Sequence, residues 1–123
     1  MPARSLSSSV FTWPDKSSVV SALSDWADGV ATTRPDLVRV GYFGSYARGD
    51  WGVGSDLDAV LVVRESATPF LRRAAEWDLT RLPVPADVLV YTENEWRALA
   101  ESGSRFARVA RGEVVCVYPA ATA

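Results

Sequence analysis

The chain has 123 residues, 48% of them apolar, with a net charge of −2 and a pI near 5.1. That length suits one domain around one core, with disorder confined to the ends. The charge leaves no basic face for nucleic acid, the lack of histidine excludes histidine-ligated zinc and imidazole catalysis, and the lone Cys116 excludes an internal disulfide.

A single thiol also fits a reducing compartment, so the expected location is the cytoplasm. No apolar run approaches the roughly 18 residues needed to span a bilayer. Residues 1–9 are serine-rich and lack the apolar centre of a signal peptide, which predicts a flexible tail over residues 1–12. Lys16 is the only lysine, so the positive charge is almost all arginine, whose planar fork suits phosphate and carboxylate partners.

Asp15, after Pro14, predicts a helix N-cap, and Val19, Leu23, Trp26 and Val30 follow as an amphipathic stripe. The stretch 32–36 breaks that helix at Arg34-Pro35. Residues 37–43, rich in β-branched and aromatic types, read as the first strand. A short helical turn over 45–49 and a glycine-rich loop over 50–55 come next.

Residues 57–63 form the second strand. Its apolar side chains point to both faces, the mark of a central strand covered on both sides. Pro69 opens a helix with Phe70, Ala74 and Trp77 as its buried stripe. After the extended segment 82–85, residues 87–91 make a third strand. Thr92 and Glu95 spell a capping box, with Trp96, Leu99 and Ala100 on the apolar face of the helix that follows. Phe106, Val109 and Ala110 resume a stripe that ends at Gly112, read as a C-cap. An edge strand over 114–118 precedes a tail over 119–123. The order implies a single α/β domain spanning 1–123.

The chemistry concentrates in Gly44-Ser45-Tyr46-Ala47-Arg48-Gly49 and in Asp56-Leu57-Asp58. Glycine lets a ligand approach the backbone, and the amides that follow, the Ser45 hydroxyl and Arg48 supply donors to a phosphate. Asp56 and Asp58, two apart at a strand entrance, project to one face. Carboxylates that close push one pKa up unless a cation intervenes, and Mg²⁺ favours one or two carboxylates plus substrate phosphates. Asp87 begins another apolar strand. If the two strands are parallel neighbours, three carboxylates meet at one sheet end, where Asp87 serves as a further metal ligand or as the base for an attacking hydroxyl. Trp51 is expected to pack on its own loop rather than cover a nucleobase. Arg105, Arg108 and Arg111, three residues apart, read as a solvated helix face, with a docking edge for an acidic partner as the alternative.

The stretch GSYARGDWGVGSDLDAVLVV resembles the signature of the DNA-polymerase-β-like nucleotidyltransferases, in particular the minimal nucleotidyltransferase (MNT) group. The resemblance implies a mixed sheet of about four strands flanked by helices, and Mg²⁺-dependent transfer of AMP from ATP. By position it makes Gly44 and Ser45 the phosphate-binding pair, with Arg48 and Gly49 also matching. It makes Asp56, Asp58 and Asp87 the catalytic and metal-binding carboxylates. The loop at Trp51-Gly52-Val53-Gly54 is more apolar than the family pattern.

Small members of this group act as antitoxins of helical HEPN-type toxins and adenylylate a tyrosine on them. The expectation is therefore an antitoxin that modifies a HEPN-type partner protein, using a nucleoside triphosphate and no nucleic acid or membrane. The alternatives are a non-catalytic antitoxin that masks its partner and transfer to a small molecule such as an aminoglycoside. The oligomeric state is left open.

Overall fold

The computed structural model describes residues 14–119 except 50, 51 and 53, and excludes the side chains of 110 and 111. Trp51, the tail at 1–12 and the last four residues lie outside the described residues. The sheet has four strands: β1 (Leu37–Phe43), β2 (Leu57–Val63), β3 (Ala86–Thr92) and β4 (Val115–Tyr118). Their order is β3-β2-β1-β4. β1 runs antiparallel to both neighbours, while β2 and β3 are parallel. The sheet is mixed, and β2 is interior as its two-sided apolar pattern requires, every residue but Asp58 being buried.

Helix α1 (Lys16–Ala31) begins where expected, the Asp15 carboxylate accepting the Ser18 N–H at 2.8 Å. It buries Val19, Leu23 and Ala27 against one face of the sheet, together with Val40, Leu57, Ala59, Leu61, Val63 and Val90. Trp26 sits at the margin of this core. Its indole N–H donates to the Asp78 carbonyl at 2.7 Å and its ring lies 6.2 Å from that of Trp77. Gly41 is needed where β4 crosses close to β1, because a Cβ there would stand 2.9 Å from the Val115 carbonyl oxygen.

The one-turn helix α2 (Ser45–Arg48) follows β1 directly, with Gly44 rather than Ser45 at the N-cap position. Tyr46 is fully buried beneath it. The expected helix after Pro69 is shorter than its stripe suggested. α3 (Phe70–Arg73) makes one turn, Ala74–Glu76 is a 3₁₀ turn, and the chain is extended at Trp77. The competitor is local. Asp78 accepts both the Thr80 N–H, at 3.0 Å, and the Thr80 hydroxyl, forming a turn that ends helical winding. Trp77 is buried as expected, but packs between Trp26 and the Arg34 guanidinium, which lies 4.0 Å from its ring centre.

Helix α4 (Glu93–Glu101) starts at the anticipated capping box of Thr92 and Glu95. Helix α5 (Arg105–Glu113) begins at Ser104 and runs through Gly112, which is therefore helical and not a C-cap. Among the described side chains of α5 the fully buried one is Ala107, one place on from the expected Phe106. Phe106 instead joins a half-buried aromatic cluster on the second face of the sheet, 5.7 Å from Phe43 and 6.3 Å from Tyr91, whose ring is 5.4 Å from Trp96. Among the described residues no helix is long and apolar enough to cross a membrane.

Candidate active site

Two pairings assemble the site. In the antiparallel ladder Phe43 faces Asp58, so the Gly44 turn emerges beside that carboxylate. In the parallel ladder Asp58 faces Asp87, a register set at the strand entrances where the Leu57 N–H donates to the Pro85 carbonyl at 2.9 Å. Parallel partners project to the same face, so these two carboxylates stand side by side on neighbouring strands. Asp56 is exposed just ahead of β2. The condition attached to Asp87 in the sequence is met: β2 and β3 are adjacent and parallel.

Gly44 holds φ +76° and ψ −148°, a conformation essentially restricted to glycine. A side chain there has no room as well, since a Cβ would overlap the Asp58 carboxylate. Gly49 ends α2 in the left-handed conformation, its N–H donating to the Ser45 carbonyl at 2.9 Å. The two glycines thus bracket a tight turn. Ser45 is half-buried at its start and Arg48 is exposed at its end. Tyr46 anchors the turn from below, its hydroxyl lying 3.4 Å from the Ser55 carbonyl.

The carboxyl of Asp58 is pushed above the ordinary range, first by burial and then by the negative charges of Asp87 and Asp56. Glu113 adds to the repulsion and Arg48 opposes it. Three further carboxylates thus lie within electrostatic reach of Asp58. Their hard oxygen donors and mutual repulsion fit a divalent cation such as Mg²⁺. Among the described residues no three His, Cys, Asp or Glu side chains close on a common point.

Glu113 is the residue that the sequence did not reveal. Its Oε1 accepts the Gly44 N–H at 2.7 Å and lies 3.2 Å from Arg48 Nη1. The last residue of α5 thereby closes onto the turn after β1. No short-range spacing announces a contact across 69 positions. The one available cue was a glutamate ending an arginine-rich helix, where a negative charge is unfavourable without a partner.

Two cavities flank these residues. One, of about 840 Å³, runs along the free edge of β3 from Asp87 past Val88 and Leu89, walled by Trp77, Leu82 and Pro83. The other, of about 640 Å³, lies between α2 and α5 and is lined by Arg48, Arg105, Arg108 and Glu113 among others. Arg105 and Arg108 are exposed, as a solvated helix face requires, and also border this cavity beside the turn.

The nucleotidyltransferase domain family profile matches residues 27–110. The chain belongs to this family. That span contains the Gly44 turn and all three aspartates, and Glu113 lies just beyond it. A candidate nucleotidyltransferase from Sulfolobus solfataricus shares the fold, with a TM-score of 0.57 and 23% identity over 82% of this chain and 80% of that one. A toxin–antitoxin crystallised with AMP-PNP is similar at a TM-score of 0.48 and 13% identity, over 77% of this chain and 72% of that one. No curated protein matches the sequence. The mixed four-stranded sheet with helices on its faces is that of a nucleotidyltransferase, as the MNT resemblance implied.

Proposed function

We propose that this nucleotidyltransferase domain transfers AMP from ATP to a hydroxyl of a partner protein, a tyrosine of a HEPN-type toxin, and acts as that toxin's antitoxin. The observation that carries the chemistry is the lateral pairing of Asp58 with Asp87 beside the Gly44 turn. Asp56, Asp58 and Asp87 would hold Mg²⁺, which when bound neutralises charge developing on the transferred phosphoryl group.

The Gly44 turn, Ser45 and Arg48 bind and orient the phosphates through backbone and side-chain donors. The acceptor hydroxyl attacks the α-phosphorus in line. A new O–P bond forms, the bond from the α-phosphorus to the bridging oxygen breaks, and pyrophosphate leaves. Asp87, exposed at the strand entrance, accepts the hydroxyl proton on its carboxylate. A protein acceptor is supported by the open groove of about 840 Å³ along the β3 edge, which leads to Asp87 and carries an apolar lining suited to a side chain borne on a peptide.

Intact-mass analysis of a co-expressed HEPN-type partner tests this reading. A mass increase of one AMP is expected with wild type and ATP–Mg²⁺, and none with Asp56→Ala combined with Asp58→Ala. Full neutralisation of the partner by that double variant, with no adduct ever formed, would leave masking as the function. An adduct on an aminoglycoside instead of a protein would refute the acceptor class.

A further inference from the structure

The contact between Glu113 and the Gly44 turn has a chemical meaning beyond holding two elements together. One carboxylate oxygen takes a backbone amide and a guanidinium, the same pair of donors that the turn would offer to a phosphate oxygen. Glu113 is largely covered there, its side chain 20% exposed. Behind it lies the cavity of about 640 Å³, whose lining among the described residues includes the guanidiniums of Arg48, Arg105 and Arg108 and the carboxylate of Glu113. Among the described lining residues positive charge thus predominates, in a chain whose net charge is −2. It suits an anion bearing more than one charge, and the cavity volume falls within the range of small-ligand pockets.

We propose that the cavity between α2 and α5 is an anion pocket for the terminal phosphates of the nucleotide, with Arg105 and Arg108 as its outer wall and the Glu113 carboxylate as a built-in competitor for the same donors. The identity of the anion rests on the nucleotidyltransferase reading; the pocket and its competitor rest on the geometry alone. A polyphosphate bound at the turn displaces Glu113 from the Gly44 amide and from Arg48. Its charge is then met by Arg105 and Arg108. Binding is therefore weaker than the donor set alone would give, and selective for ligands with at least two linked phosphates, because a monophosphate reaches the turn without the outer arginines.

Calorimetric titration with inorganic pyrophosphate in the presence of Mg²⁺ tests the inference without any transfer reaction. Glu113→Gln retains an oxygen for the Gly44 N–H and removes the charge, so it should tighten pyrophosphate binding roughly three- to tenfold. Arg105→Gln combined with Arg108→Gln, at exposed positions where the fold is indifferent, should weaken it by a similar factor. Unchanged or weaker binding by Glu113→Gln would show that Glu113 is only a tie between α5 and the turn, and would overturn the proposal. Unchanged binding by the double arginine variant would overturn it equally. The partner-modification assay separates the two readings. Transfer by wild type with no response of pyrophosphate binding to these variants refutes the pocket alone. The expected binding changes with no transfer to any acceptor refute the enzymatic reading alone.

Discussion

The Asp58 carboxylate occupies the space into which any side chain at Gly44 would grow. The Gly44 turn and the acidic strand entrance are thus in van der Waals contact, and the glycine is required twice over, by its φ of +76° and by that contact. Gly44→Ala should cost about 1–3 kcal/mol in backbone strain and should also push Asp58 away from Asp87. The expected outcome is a lowered melting temperature together with loss of nucleotide transfer. A variant that melts and transfers as wild type would show that the turn is free to relax.

Asp58 also sets a pH dependence. Burial, then Asp87 and Asp56, hold its carboxyl above the ordinary value of 3.8. A carboxyl raised in the folded state contributes stability that is full below its unfolded pKa and is lost as pH rises through the folded value. Metal-free protein should therefore lose this contribution on going from acid toward neutrality, and Asp58→Asn should remove that part of the slope in urea unfolding. Activity should fall by at least about a hundredfold in the same variant, since a charge in the site is gone. Retention of the slope in Asp58→Asn would assign it elsewhere.

Much of this site was legible because its parts lie close in sequence. Gly44, Ser45, Arg48 and Gly49 share one turn, and Asp56 and Asp58 enter the next strand with side chains two apart. Asp87 was legible only conditionally, since nothing in residues 86–92 says which strand they pair with. The parallel register with β2 is set by contacts across the sheet. Glu113 was invisible for the same reason, being joined to Gly44 over 69 positions. The helix after Pro69 failed differently. Its apolar spacing promised several turns, but the Asp78–Thr80 turn and the packing of Trp77 on Trp26 and Arg34 prevail over it. The same segment conceals a buried arginine, Arg73, that an apolar stripe gives no reason to expect.

Close approach of β4 to β1 makes a second glycine sensitive, without any role in the chemistry. A Cβ at Gly41 would lie 2.9 Å from both Val114 Cγ1 and the Val115 carbonyl oxygen. The valine methyl can yield but the backbone carbonyl moves only with its strand. Gly41→Ala should thus lower stability by about 1–3 kcal/mol, the usual cost of overpacking. Because β4 leads directly out of α5, the displacement should reach Glu113 as well. Faster amide exchange along β4 than in the wild type, with β2 unchanged, is the expected signature, and equal acceleration across the sheet would rule out a local effect.

Arg73 supplies the clearest case in which one ion pair joins several elements. Its guanidinium, 7% exposed, meets the Glu95 carboxylate through both Nη atoms, while Nε donates to the Thr68 carbonyl at 2.8 Å and Nη1 to that of Val90 at 3.2 Å. Glu95 also accepts the Thr92 N–H at 2.8 Å and so closes the capping box of α4. The arginine is buried but the glutamate side chain is 42% exposed, so solvent screens the pair and its full buried value does not apply. Glu95→Ala leaves the arginine without its carboxylate and removes half the cap, which should cost about 2–3 kcal/mol. Glu95 is held below its ordinary value of 4.5, chiefly by the hydrogen bond from Arg73 against an opposing burial effect. A carboxyl depressed in the folded state contributes stability that is present above its unfolded pKa and is lost as pH falls through the folded value. Acid unfolding of wild type should therefore be steeper than that of Glu95→Gln, and of opposite sign to the contribution of Asp58. Urea midpoints for both variants as pH is lowered would separate the two carboxyls, and a wild-type acid slope in Glu95→Gln would exclude the pair as its source.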